Sequence, residues 1–284
     1  MQESDLSERI RKQIGVLPPT MRRVAQYMER NRVEVVALSA AELGEVLGTS
    51  DATIIRTAKA LGYAGLAELR RQLTRDLSAG TPVENFRRTL DATRADARKA
   101  MTRSLKMTQD VLASLGAPEM LDRIERMVHR LDEAQRIVVF GIGPTAYISG
   151  YAAHMLRRMG RKVLLLDRTG RDLADQMLEL TSGDALLLIS YSHPYAEVLA
   201  VVEDALIQAL PILLITNDAD SPLVRKSQEY LVLPRGGVHG MALNAATFAC
   251  VEELVVGLSV RLPETADASL QRLERLRASL DRQS

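Results

Sequence analysis

Cysteine occurs once in the 284 residues, at Cys250. That excludes an internal disulfide, and within an apolar helical pattern the thiol reads as a small buried hydrophobe. An excess of one charge is also missing: 37 Lys+Arg stand against 36 Asp+Glu. No global basic field therefore argues for nucleic acid, and such a role must come from a local surface. No uncharged run approaches the ~18 residues of a membrane span, and the opening Met-Gln-Glu-Ser-Asp is acidic and polar where a secretory signal is basic, then apolar. Neither internal repeats nor low-complexity tracts occur. His129 and His154 fall in helical patterns without a partner at ligand spacing, so no metal is expected. These absences predict a cytoplasmic chain with no membrane partner and no cofactor. What is present, 46% hydrophobic and 26% charged residues, suits a globular protein long enough for two domains.

The first part is helical in period throughout, from Leu6 to Leu77, with Leu6, Ile10, Val24 and Met28 on inward faces. Its informative stretch runs from Ser39 to Tyr63. Ser39 caps a short helix to Leu47, Gly48 takes the turn, and Ser50 caps a second helix ending at Gly62. Leu43, Leu47, Ile54 and Leu61 are spaced for two crossed helices sharing one core, and Gly44 keeps the crossing thin. This is the pattern of a helix-turn-helix, whose second helix enters the major groove. Its expected exposed residues are Ser50, Asp51, Thr53, Arg56, Thr57 and Lys59. Arg56 suits a base edge or a phosphate, Thr53 and Thr57 suit either, and Lys59 suits backbone phosphate. The competing reading is a hairpin inside a larger bundle, since residues 1–80 hold 12 Lys+Arg against 10 Asp+Glu, a surplus of only two.

Ser78 to Pro82 reads as a linker. Phe86, Leu90, Ala97, Met101, Leu105, Leu112 and Leu115 then follow at threes, fours and sevens, which predicts one long amphipathic helix stopped by Gly116 and Pro118. Its stripe packs either on the same helix of a second subunit or on this chain's own core. The expected domains are 1–79 for DNA binding, 80–118 for linker and long helix, and 119–284 for the rest.

Beyond Leu121 the text alternates. Short apolar runs at Ile137–Phe140, Val163–Leu166, Ala185–Ile189, Ile212–Ile215 and Tyr230–Leu233 are separated by helical patterns, which implies right-handed crossovers and a five-stranded parallel, doubly wound sheet. Two helices, Met241–Leu262 and Ala266–Leu280, close the chain. In the flavodoxin-like strand order, ligands bind between the ends of strands one and three. The loop after strand one is Gly141-Ile-Gly143-Pro-Thr145, and the loop after strand three is Ser190-Tyr-Ser192-His193-Pro-Tyr195. Each opens a helix, and hydroxyls beside two helix N-termini suit a phosphate or carboxylate, with His193 as a further donor. Gly141-x-Gly143-x-x-Ala146 with Asp167 also fits a dinucleotide fingerprint. Against that reading, Pro144 removes an N–H where pyrophosphate would lie, and the Ser190/Ser192 loop has no purpose.

On these segments, with Ile215-Thr-Asn217 to Ser221-Pro-Leu223 and the order of the domains, the chain resembles the RpiR-type bacterial transcriptional regulators. Leu17–Leu73 is similar to their N-terminal domain, and Leu121–Leu262 to a sugar-isomerase (SIS) domain. The resemblance implies a regulator that senses a phosphosugar, with Thr145, Ser190 and Ser192 holding the phosphate. Three departures stand out. In the family loop Ser-x-Ser-Gly-x-Thr, His193 replaces Gly and Tyr195 replaces Thr, so one phosphate-facing hydroxyl is lost. Thr145 stands for the commoner Ser. The superfamily's enzymes carry a Glu acid/base in text like Ala-Leu-Glu-Gly-Ala, where this chain reads Ala242-Leu-Asn244-Ala-Ala. Asn244 exchanges no proton near neutral pH; His239 is the candidate substitute, or simply a polar residue at a helix start.

The expectation is a homodimer, or dimer of dimers, that binds double-stranded operator DNA. Gly141, Gly143, Thr145, Ser190, Ser192, His193, His239 and Asn244 surround its small anionic effector, and no residue is catalytic. A phosphosugar aldose–ketose isomerase and a dinucleotide-sensing regulator are the alternatives.

Overall fold

The computed structural model describes residues 5–78, 82–191, 194–235 and 243–281. Contacts divide the chain into two units. One holds the chain through Met120 together with Asn217–Asp220 and Val232–Ala246; the other holds Leu121–Thr216, Ser221–Leu231 and Thr247 onward.

The first unit is built on helices α1 (Asp5–Gln13), α2 (Pro19–Arg30), α3 (Arg32–Ala37), α4 (Ala40–Leu47), α5 (Asp51–Ala60), α6 (Leu66–Ser78), α7 (Pro82–Thr93) and α8 (Ala97–Leu115). Ser39 starts α4 with a capping box: its hydroxyl accepts from Glu42 N while Glu42 reaches back to Ser39 N. Gly48 ends α4 in the left-handed region at φ 59°, and Ser50 caps α5. A Cβ on Gly44 would sit 2.7 Å from the Thr49 carbonyl oxygen, so only glycine lets the turn cross this closely. α5 packs on α4 and α2, around Val24, Met28, Leu43, Ile54 and Leu61, all buried.

The single long helix expected between the domains is instead two. Arg94 and Ala95 take φ of 53° and 55°, and Asp96 then caps α8 by accepting from Lys99 N at 3.0 Å. The apolar spacing runs on across the break, which is why periodicity alone missed it. The interrupting signal was local: an Asp side chain that competes for backbone amides.

The second unit carries α9 (Pro118–Glu133, largely within it), β1 (Arg136–Phe140), α10 (Pro144–Arg158), β2 (Val163–Leu166), α11 (Gly170–Met177), β3 (Asp184–Ile189), α12 (Ala196–Ile207), β4 (Ile212–Thr216), β5 (Glu229–Val232), α13 (Ala245–Arg261, chiefly here) and α14 (Pro263–Asp281). The sheet order is β2-β1-β3-β4-β5, with β1 parallel to β2 and β3, and β3 parallel to β4. β3 and β4 are buried along their whole length, as strands covered on both faces must be. Val138, Phe140, Leu186, Leu188, Ile212 and Leu214 pack with Leu173 of α11 and Val198, Val201 and Val202 of α12. The alternate residues Ile137, Val139, Leu187 and Ile189, also buried, face the opposite side. Cys250 is fully buried in α13, and desolvation, with Glu253 nearby, pushes its thiol up to about 12.

Among the described residues no helix is long and apolar enough to cross a membrane, and no group of three or more His, Cys, Asp or Glu is placed to hold a metal ion.

Candidate effector site and nucleic-acid interface

The start of α5 is a hydroxyl-lined edge. Ser50 Oγ accepts from Thr53 N at 3.3 Å and pairs with Thr53 Oγ1 at 3.0 Å, and Asp51 accepts from Ala52 N. Ser50, Asp51, Arg56 and Lys59 are exposed and Thr53 is half-buried. Arg56 folds along its own helix, donating to the Ala52 carbonyl at 3.2 Å and to Thr53 Oγ1 at 3.3 Å. Thr57 departs from expectation: it is fully buried and its hydroxyl donates to the Thr53 carbonyl at 2.8 Å. Residue 57 lies three positions after Ile54 and so shares the inward face; it is a core residue and no DNA contact.

Several other cations of this unit are spent on structure. Arg9 donates to the Leu61 and Gly62 carbonyls that follow α5 and stacks 4.4 Å over the Tyr63 ring. Arg23 donates to the Leu47 carbonyl, and Arg70 to those of Val35 and Leu38. Each satisfies acceptors that a helix end leaves unpaired. With these engaged, Arg56 and Lys59 are the cations that α5 itself presents to solvent.

In the second unit, β1 and β3 are neighbours and each ends in a turn that opens a helix. Gly141 needs to be glycine because of a close approach: a Cβ there would lie 2.6 Å from Ser149 Oγ and 2.8 Å from Thr145 Oγ1. Gly143 needs to be glycine for conformation, at φ 64° and ψ −132°. Pro144 follows as the first residue of α10. Thr145 is buried, and its hydroxyl donates to the Ile142 carbonyl at 2.9 Å, so it braces the turn first. Ser149 is fully buried one helical turn below, and its hydroxyl has no partner among the described residues.

On the neighbouring strand, Ser190 is buried at the end of β3, held by its amide on the Ile215 carbonyl at 3.0 Å. Its hydroxyl has no partner among the described residues. Tyr191 anchors the loop from below, its hydroxyl 2.5 Å from Thr247 Oγ1 of α13. Ser192, His193 and His239 lie outside the described residues. Asn244 directly precedes α13; its side-chain oxygen is buried without a hydrogen-bond partner among the described residues.

Tyr195 corrects one sequence reading. It occupies the N-cap position of α12 without capping it, and its phenol hydroxyl comes within 3.8 Å of where a Gly143 Cβ would be. A hydroxyl therefore does reach the first loop from residue 195. Sequence reasoning counted only the lost threonine hydroxyl and overlooked the longer reach of the phenol. At the start of α10, Pro144 has no N–H and the Ala146 amide donates to the Gly143 carbonyl at 3.1 Å; the first-turn amides of α10 and α12 that are left without an intrahelical partner point to this same side of the sheet. Asp167, the acid that a dinucleotide would require, is taken by Gln176 Nε2 at 3.0 Å.

Residues 4–80 match the helix-turn-helix domain of the rpiR family, and residues 130–260 match the SIS domain. The HTH-type transcriptional regulator HexR of Pseudomonas aeruginosa is 29% identical over 235 residues, covering 81% of this chain and 79% of that protein. Among solved structures, the NanR protein of Vibrio vulnificus complexed with ManNAc-6P is 26% identical, with a TM-score of 0.50 and coverage of 97% of this chain and 98% of that one. The sugar isomerase domain of an RpiR transcription factor from Sphaerobacter thermophilus, 23% identical with a TM-score of 0.51 over 68% of this chain and 98% of that one, shares the fold. On this evidence the chain belongs to the RpiR family of helix-turn-helix transcriptional regulators that carry a SIS domain.

Proposed function

We propose that this regulator binds operator DNA through Ser50, Asp51, Thr53, Arg56 and Lys59, and that its DNA affinity answers to a phosphosugar held between the β1 and β3 strand ends in the cytoplasm. The observation that carries the effector site is the approach of the Tyr195 hydroxyl to Gly143. It brings together two helix N-termini, the Ser190 hydroxyl and one turn shaped by two glycines. Free N–H groups and hydroxyls there would donate to the oxygens of a phosphate monoester. The complex of NanR with ManNAc-6P supports this ligand class. Ser192, His193, His239 and Asn244 are the further residues proposed to line the site. At Asn244 the isomerase reading lacks its base.

Phe86, Leu90, Met101, Leu105 and Leu112 stay exposed along α7 and α8. An apolar stripe of this length supports assembly of two copies into a dimer. The effector then shifts the population of dimer geometries by as much as its affinity differs between them.

Two measurements test the reading. Arg56→Ala is expected to weaken specific operator binding by about 1–3 kcal/mol; an unchanged footprint removes Arg56 from the interface. The double variant Ser190→Ala, Ser192→Ala is expected to keep DNA binding and lose the response to phosphosugars. An undiminished response places the sensor elsewhere.

A further inference from the structure

A second polar concavity lies on the outer side of the α/β unit. His154, Arg157 and Arg158 occupy positions i, i+3 and i+4 of α10 and so share one face; Ser269, Arg272, Leu273 and Leu276 do the same on α14. The two faces enclose a groove of about 280 Å³. Its wall is fixed where α14 crosses the end of α10. Gly160, at φ 80°, brings backbone so close that a Cβ would meet Thr265 Cγ2 at 2.8 Å and Ser269 Cβ at 3.3 Å.

The lining holds three guanidinium groups and an imidazole, and no carboxylate. Among the described residues none of Arg157, Arg158 and Arg272 makes an ion pair. Glu252, which acts on Tyr151 in the same neighbourhood as Arg158, is already accepting the Tyr151 hydroxyl at 2.7 Å. Arg157 donates to the Val163 carbonyl at 3.2 Å, and Arg157 and Arg158 complement the negative end of the α10 dipole. That structural role does not extend to Arg272, which sits in the middle of α14. Nor does it explain Arg158 Nε, which is buried and has no hydrogen-bond partner among the described residues. A buried donor left unpaired is destabilising, and an anion in the groove would supply its acceptor.

We propose that this groove is a second anion site, taking a small phosphorylated metabolite. The guanidinium forks match phosphate oxygens in pairs, and Leu273 and Leu276 offer an apolar surface to the rest of the molecule. The site is separate from the strand-end crevice. α10 begins at that crevice and ends at the groove, and its 15 residues span roughly 22 Å, too far for one small ligand to bridge.

Titration calorimetry of the full chain with sodium pyrophosphate tests it. Binding is expected to persist in the Ser190→Ala, Ser192→Ala variant, whose strand-end site is impaired. It is expected to weaken about 10-fold in Arg272→Gln and about 100-fold in Arg157→Gln, Arg272→Gln, by the usual worth of charged hydrogen bonds. Arg272→Lys, which keeps the charge but loses the fork, should fall between wild type and Arg272→Gln. Arg272 is exposed, so its replacement leaves the melting transition in place and a folding defect is not confounded with lost binding. The proposal is overturned if Arg272→Gln binds pyrophosphate like wild type, or if binding disappears with the two serines. It is equally overturned if Arg272→Gln loses affinity for a DNA fragment and none for pyrophosphate, which would make the groove a nucleic-acid face.

Discussion

The two ends of the parallel sheet treat polar groups in opposite ways. At the N-terminal end they are paired with one another. Arg136 clamps the buried Asp184 with two bonds of 2.9 and 2.8 Å and also reaches the Glu179 carbonyl, while Thr181 donates to the same carboxylate through its amide and hydroxyl. Asp184 raises the Arg136 pKa further, chiefly through these hydrogen bonds. Arg161 gathers the carbonyls of Leu131 and Ala134 at the end of α9. At the C-terminal end the hydroxyls of Ser149, Ser190 and Tyr195 have no partner among the described residues. One end spends its polar groups on holding strands in register; the other keeps them available.

By that contrast, breaking the paired end should cost stability and leave sensing intact. Arg136→Ala strands a buried carboxylate, and removing one partner of a buried pair typically costs about 3 kcal/mol or more. The loss should appear in denaturant unfolding as a lower midpoint with an unchanged slope, while the protein that remains folded still answers to its effector.

Gly141→Ala attacks the open end through packing. The added methyl would overlap Ser149 Oγ and Thr145 Oγ1, and overpacking of this kind costs about 1–3 kcal/mol. Here the two readouts should move together, because the turn that presents the α10 amides is the part displaced. A variant that melts early but responds normally would detach that turn from the site.

Most of the second unit was legible in the text because each strand is a short run of Val, Ile and Leu, a pattern that only a sheet covered on both faces tolerates. The capped turn at Ser39, Gly48 and Ser50 was legible for a different reason: caps and left-handed residues act locally, within one helical turn. Three features were hidden. The break at Arg94 and Ala95 sits inside an unbroken apolar period. Thr57 reads as polar, yet its hydroxyl is satisfied by its own helix and so can be buried. Tyr195 reaches a residue some fifty positions away, a contact that depends on β1 and β3 being adjacent. No spacing within either loop encodes that.

Tyr191→Phe probes the border between the two behaviours. Its hydroxyl is paired with Thr247, yet it lies between Ser190 and Ser192. Losing a buried hydrogen bond costs about 1 kcal/mol, and the unpaired Thr247 hydroxyl adds to it. The expected result is a small drop in thermal midpoint together with a weaker effector response, since the loop would lose its tether to α13. A pure stability loss would assign Tyr191 to the framework.

The smallest expected effect is also the most discriminating. Tyr195 is 56% exposed, and its hydroxyl has no partner among the described residues, so Tyr195→Phe removes one oxygen without opening a cavity or orphaning a donor. Stability should stay within about 0.5 kcal/mol, as for surface changes away from packed features. If the phenol supplies the hydroxyl that a threonine would otherwise bring to the phosphate, phosphosugar affinity should fall about 10-fold, the low end for one hydrogen bond to a charged acceptor. The operator affinity of the effector-free protein should not move. Tyr195→Thr separates reach from chemistry: it restores a hydroxyl but not the length that brings it to Gly143. It should bind the phosphosugar no better than Tyr195→Phe. A full recovery with threonine would mean that the loop closes on the ligand, and that the distance to Gly143 is not what selects a tyrosine here.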